Sequence, residues 1–180
     1  DFALGAVMAT RRQQLAEIGD FQALADCLAD DYQLGNRIAR RGYRIVLSPL
    51  VVECWTPPMG WAAVWKHQLR WARTIRVCQP VPYFFSILSN ATLWPGLWFL
   101  ARPAALVLAC TLGCVLVRVL TALHLEHRLT RSRPAFACGW LVPVKDLLQA
   151  ALWLLAFLGN RIEWRGQRLR LRSDGTLVRG

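Results

Sequence analysis

Residues 81–123 read VPYFFSILSNATLWPGLWFLARPAALVLACTLGCVLVRVLTAL, an apolar stretch whose only charges are Arg102 and Arg118. Arg102 and Pro103 divide it into runs over 81–101 and 103–123. Each holds about 20 residues, and at about 1.5 Å rise per residue such a helix matches a hydrocarbon core of about 30 Å. Either run alone also suits the core helix of a soluble protein. Two of this length, adjacent and joined by so short a break, point to a transmembrane helical hairpin. Asn90 and Pro95 interrupt the first run without charging it.

Toward the carboxyl end lies a third apolar run, 141–159. Lys145 and Asp146 cut its charge-free part to about 13 residues, short for a span. Arg128, Arg131 and Arg133 precede it, and Arg161, Arg165, Arg168, Arg170 and Arg172 follow it. Basic flanks prefer the cytoplasmic side, and a single crossing cannot join two flanks on one side. An interfacial or re-entrant helix over 141–159 is expected; a tilted span with the tail outside is the competitor. In the tail, 160–180, Arg and Leu alternate from Arg168 to Arg172 before Asp174 and Gly175, which reads as a basic strand pair. Its cations suit anionic headgroups or plain solvent.

Upstream, residues 1–78 mix polar and apolar residues as a soluble domain does. A helix is expected from Ala9 to Gly19, and a second from Asp26 to Arg41, with an apolar stripe of Leu28, Leu34 and Ile38 and a stop at Gly42. Tyr43 to Val52 reads as a strand, with Pro49 marking an edge or a break, and Thr56 to Pro58 as a loop. Gly60 to Val77 reads as a helix whose Trp61, Trp65, Lys66, Arg70, Trp71, Arg73 and Arg76 suit the headgroup level of a membrane. The opening from Phe2 to Met8 resembles a buried segment in mid-domain, and an amino-terminal portion is expected before it.

Composition agrees with a membrane partner. The chain has 180 residues, a formal net charge of +11 and 55% hydrophobic residues. Nearly all the cations are Arg, set in blocks between apolar runs too long for a soluble phosphate reader, so nucleic acid is not the expected partner. The six cysteines form no C-x-x-C pair, and their spacing suits neither zinc nor a disulfide framework.

Two constellations carry chemistry. Asp30 and Asp31 stand at a helix start, where acids also do nothing more than complement the helix dipole. His67, Arg70 and Trp71 stand on the aromatic, basic helix, where Arg and Trp need no catalytic role. Their order changes the weighing. An acidic pair, then x-x-Arg-Trp, then membrane helices is the layout of membrane glycosyltransferases of the GT-A type, with an acidic motif followed by Q/R-x-x-R-W. His67 stands where that motif has Gln or Arg.

The sequence resembles the ceramide glucosyltransferases, family 21 of the glycosyltransferases, more closely still. Gly5 to Arg11 is similar to that family's run of Gly, small residues, Met and Arg. Asp30-Asp31-Tyr32 followed by Arg41-Gly42-Tyr43 is similar to its E/D-D-Y and R-G-W/Y, and Arg70-Trp71-Ala72-Arg73 to its R-W-T/A-K/R. Trp164 to Arg172, then Gly175 and Thr176, resembles its W-R-x-G-R-x-R-L-R and Gly-Thr. The resemblance runs over nearly the whole chain.

The resemblance implies the carboxyl-terminal half of a GT-A domain over 1–59, an interfacial helix over 60–79, a membrane region over 80–159 and the basic tail. The fold class is thus α/β plus membrane helices. It implies inverting transfer of a hexose from a nucleotide sugar such as UDP-glucose to a lipid hydroxyl such as that of ceramide. Asp31 aligns with the catalytic base, with Asp30 as second choice. His67, Arg70 and Trp71 would hold the nucleotide and its phosphates, and Gly5 and Ala6 would leave room near the acceptor. A divalent metal, Mg or Mn, is expected in the full-length enzyme. No D-x-D occurs here, so its ligands and the nucleotide-binding half are expected upstream, and this stretch alone is expected to be inactive. The expected setting is a multi-pass protein of a bacterial inner membrane with its catalytic part on the cytoplasmic side. Alternatives are a hopanoid-lipid glycosyltransferase, a processive polysaccharide synthase with more membrane helices, and a non-enzymatic anchor or transporter fragment.

Overall fold

The computed structural model describes residues 3–130, 136–164, 167–172 and 175–179. Phe2, Arg131, Arg133, Arg165, Gly166 and Asp174, which enter the readings above, lie outside the described residues. The protein is mostly helical with one small sheet. It divides into two compact units, Asp1–Pro80 with Gly159–Gly180, and Val81–Leu158.

The first unit begins with helix α1, Arg12–Glu17, whose start is tied by the Gln14 side chain, accepting from the Arg11 N–H at 3.2 Å and the Thr10 hydroxyl at 3.0 Å. Helix α2 spans Asp30–Arg40. It stops where the sequence predicts, because Gly42 takes φ +89° and returns its N–H to the Ala39 carbonyl, a left-handed turn that a side chain opposes. Leu34 and Ile38 of α2 close on Ile18 and Leu24, with Leu15, Tyr43 and Ile45 packed around them. Leu28, expected on the same stripe, precedes the helix, which starts four residues later than the pattern suggests.

The strand expected over Tyr43–Val52 does not form. Tyr43 and Ile45 join the core, and the Tyr43 hydroxyl donates to Glu17 at 3.0 Å. Beyond them the chain runs without regular structure, with Leu47, Leu50, Val51 and Trp55 exposed, Trp55 by 90%. A strand persists only when its N–H and C=O groups meet a neighbour, and the strands among the described residues pair with one another instead.

Those strands lie in the tail: β1 Arg161–Trp164, β2 Gln167–Leu171 and β3 Leu177–Arg179, antiparallel in the order β1-β2-β3. The tail therefore forms three strands rather than the expected two. It folds back on the segment before α2: Leu177 N–H donates to the Asp26 carbonyl at 2.9 Å, and Thr176 bridges Cys27. Leu171, 1% exposed, and Ile162 are its buried apolar anchors. Helix α3, Trp61–Cys78, bears on the same tail. Lys66 pairs with Glu163 at 2.9 Å, the Arg73 guanidinium donates to the Arg161 carbonyl, and that of Arg76 to the Asn160 side chain.

The second unit contains α5, Leu93–Ala101, α6, Ala105–Thr130, and α7, Leu141–Ala156; α4, Pro80–Phe85, leads into it. The run 81–101 is not one straight span. It breaks at residues 90–92 and bends by 56°. Asn90 causes the break, since its Oδ1 accepts the N–H of Thr92 at 3.2 Å and of Leu93 at 2.8 Å and so starts a new helix. Pro95 then sits in the first turn, where no N–H is missed. The second run breaks from the first at 102–104 as expected but continues to Thr130, with His127 and Arg128 favourably placed at the negative end of its dipole.

Among the described residues, α6 is long and apolar enough to cross a membrane, and the bent pair makes a second crossing if it is one span. Leu106, Leu112, Leu116, Val117 and Leu120 of α6 are all exposed. A soluble protein buries such residues, so their exposure favours lipid contact. Thr111 of α6 donates to the Pro95 carbonyl at 3.0 Å. Arg118 meets Asp146 of α7, which is buried.

Candidate active site

The acidic pair opens α2. Asp30 Oδ1 accepts the Asp31 N–H at 3.0 Å, and Asp31 Oδ1 accepts the Tyr32 N–H at 2.8 Å. Both carboxylates thus serve donors that a first helical turn leaves unpaired, the role a helix start alone would assign them. Asp31 is half-buried and Asp30 exposed. What sets Asp31 apart is its other oxygen. A Cβ added to Gly5 would stand 2.6 Å from Asp31 Oδ2. The backbone of Gly5 therefore lies against the carboxylate, at a position where only the missing side chain permits the approach. Ala6 is exposed beside it.

Tyr32 ties the acidic turn to α3. Its hydroxyl donates to the Cys78 carbonyl at 3.1 Å and accepts from Gln79 Nε2 at 2.7 Å. The Cys78 thiol is pushed up to about 11, first by burial, then by the Asp31 charge and by Cys27. Asp31 thus acts on the carboxyl-terminal end of α3.

His67, Arg70 and Trp71 lie upstream on α3. Arg70 Nη2 is 3.2 Å from His67 Nδ1, and the His67 and Trp71 rings approach to 5.1 Å. Burial, and then the Arg70 charge, hold the His67 pKa below the ordinary imidazole value, so the neutral ring accepts from the guanidinium. Burial also lowers the pKa of Arg70. Trp71 is 54% exposed.

The structure places the sequence-predicted residues in two groups of the first unit. Gly5 meets Asp31, and Arg70 and Trp71 meet His67. No hydrogen bond or ion pair joins Asp31 to Arg70 among the described residues. Trp71 and Cys78 are seven residues apart, so they share a face of α3 about 10 Å apart along its axis. Three supporting parts have no assigned role in the sequence reading: the Tyr32 hydroxyl, Gln79, and the Arg73 and Arg76 attachments to the tail. Arg70, Arg73 and Arg76 recur every third residue, which signals a functional face of α3, but the carbonyl and amide partners leave no mark in the sequence.

The first unit thus sets a carboxylate beside a glycine backbone and carries a helix bearing Arg and an exposed Trp. The sequence matches the model of glycosyl transferase family 21 over residues 1–177, and the chain belongs to that family. No curated protein and no solved structure matches the chain. The family implies glycosyl transfer, with a nucleotide-sugar donor and an acceptor. Among the described residues no three of His, Cys, Asp and Glu converge as a metal site. By themselves these residues offer the expected divalent ion no ligand set.

Proposed function

We propose that the protein transfers a hexose from a nucleotide sugar to a lipid hydroxyl, with inversion, at a membrane surface. Asp31 takes the acceptor hydroxyl proton, the acceptor oxygen bonds to the anomeric carbon, and the bond from that carbon to the diphosphate oxygen breaks. Arg70 receives the charge of the leaving diphosphate through charge-assisted hydrogen bonds. His67 orients the guanidinium, and Trp71 offers a ring face to the nucleotide or acceptor. Gly5 keeps the carboxylate side open to the acceptor. Ceramide is the acceptor the resemblance favours, and a hopanoid lipid with an amino sugar is the alternative. Two membrane spans, the bent pair α4–α5 and α6, would hold the protein in the bilayer that contains such an acceptor. The basic residues flanking them favour the cytoplasmic side.

One observation carries this reading: the half-buried Asp31 carboxylate is held between the Gly5 backbone and, through Tyr32, the end of the helix that carries Arg70. Asp31→Asn keeps both size and most of the first-turn bonding but cannot accept the proton. Removal of a general base costs about 10²–10⁴-fold in rate. Membranes carrying the intact Asp31→Asn protein at normal levels are expected to lose transfer to both ceramide and hopanoid acceptors. Unchanged transfer removes Asp31 from the mechanism.

A further inference from the structure

The second unit contains a polar cluster that the transfer reaction does not use. Asp146 of α7 is 3% exposed. Arg118, midway along α6, binds it with two prongs, Nε to Oδ2 at 3.0 Å and Nη2 to Oδ1 at 2.9 Å. The Thr92 hydroxyl donates to Asp146 Oδ2 at 2.9 Å, and the Asn90 side-chain amide donates to the Asp146 carbonyl at 2.7 Å. The same Asn90 starts α5 through its other atom. Four residues from three separated stretches thus satisfy one another.

Two further contacts orient α7. Seven residues past Asp146, the Trp153 indole donates to the Tyr83 carbonyl at 2.9 Å, and Phe157 packs on Tyr83 and Phe84. Later residues of α7 therefore meet earlier residues of the α4–α5 stretch. The end of α7 returns to where the apolar unit begins. The chain agrees on either side: it leaves the first unit after Pro80 and re-enters it at Gly159, and Arg76 of α3 binds Asn160 directly after that return. Entry and exit lie at one end, so the segment between them crosses a bilayer an even number of times. With the bent pair as one span, it and α6 supply two crossings. At 16 residues α7 is about 24 Å long, shorter than a hydrocarbon core of about 30 Å.

From this geometry we infer that α7 is the returning limb of a re-entrant segment, embedded beside α6 and held in the hydrocarbon by the Arg118–Asp146 pair. Unpaired, an acid in that environment is strongly disfavoured. Bound to Arg118, Thr92 and Asn90, it specifies which helices meet and in what register, the best-attested use of a buried ion pair. Lys145, its neighbour, is exposed rather than buried in this cluster. The inference rests on reading α6 as a membrane span, and it holds or fails separately from the transfer chemistry.

Single cysteines in a cysteine-free version of the intact protein test it, using a membrane-impermeant maleimide on sealed vesicles of either orientation. Leu116→Cys in α6 and Leu148→Cys in α7 are expected to stay unlabelled in both. Arg128→Cys and Arg170→Cys are expected to label from the same side. Asp146→Leu or Arg118→Leu is expected to raise Leu148→Cys labelling at least fivefold, and the double variant Arg118→Leu/Asp146→Leu to restore protection. Labelling of Leu148→Cys alone, with the pair intact, overturns the embedded helix and leaves the α6 span standing. Labelling of both Leu116→Cys and Leu148→Cys overturns the span itself. Opposite-side labelling at 128 and 170 shows a full crossing and overturns the re-entrant return. A double variant no better protected than the singles overturns the role of the pair.

Discussion

Replacing Gly5 by Ala tests the acidic site at its tightest point. The new methyl carbon would stand 2.6 Å from Asp31 Oδ2, 3.1 Å from its Cγ and 3.3 Å from its Cβ. A tolerable carbon–oxygen approach is about 3.3 Å, so the carboxylate must retreat by about 0.7 Å. The retreat is cheap for folding, because the displaced group is the end of a flexible side chain, and an off-rotamer χ costs about 0.5–1.5 kcal/mol. Gly5 is not among the residues with positive φ, so Ala fits the backbone and recovers about 0.4–1 kcal/mol by narrowing the unfolded ensemble. Stability should therefore change little. Catalysis should not be spared, since a misplacement of about 1 Å at a reacting group costs about 10²-fold. Scaled to the shorter displacement, kcat should fall about 10- to 30-fold, or about 1.4–2 kcal/mol of barrier. The assay is sugar transfer to lipid acceptor by membranes with matched protein levels, alongside a thermal unfolding curve. A Gly5→Ala protein that keeps kcat within twofold of the parent refutes the placement of the reacting carboxylate against Gly5.

Further outcomes follow from the same frame. Tyr32→Phe deletes both hydroxyl bonds to the end of α3; at about 0.5–1.5 kcal/mol each, thermal stability should drop modestly and kcat more than the donor KM, as measured by full kinetics. His67 has a lowered pKa, so its contribution is complete above about pH 6.5 and is lost as pH falls through the folded value, where a second cation would face Arg70. His67→Gln should retain transfer and flatten the acid limb of the rate–pH profile. Cys78, pushed up to about 11, should alkylate far more slowly than exposed Cys54 at pH 8 and accelerate only as pH nears that value, read by mass spectrometry of the modified peptides.

Local signals were legible and distant ones were not. Gly42 announces the end of α2 because a single residue's backbone freedom decides it. The break at Arg102 and the extent of α3 follow from residues adjacent in the chain. Asn90 was visible as an interruption, but its bend depends on which backbone N–H groups its side chain captures. Tyr43–Val52 has strand composition and no strand, since composition cannot supply a neighbouring ladder. Lys145 and Asp146 read alike as charges that shorten an apolar run, yet Asp146 is neutralised by a residue 28 positions away while Lys145 stays exposed. The site divides the same way: Asp31, Arg70 and Trp71 stand out by motif, while the Tyr32 link and the Gly5 contact exist only once the chain has folded.

The charge distribution around α3 carries the synthesis furthest. Lys66, Arg70, Arg73 and Arg76 lie on one helix, and the strands it holds bring Arg161, Arg168 and Arg170 to the same unit. Like charges gathered this way repel and oppose folding. The fold limits that cost by aiming the Arg73 guanidinium at a carbonyl and that of Arg76 at a side-chain amide, with Lys66–Glu163 a charge pair between α3 and the tail. These contacts fix the helix without consuming Arg70, whose hydrogen bond goes to a neutral imidazole. A frame built only for stability would gain from acids opposite these cations. A concentrated positive field with a guanidinium held only by a neutral imidazole among the described residues is instead suited to an anionic ligand that arrives and leaves, as the diphosphate of a sugar donor would in each turnover.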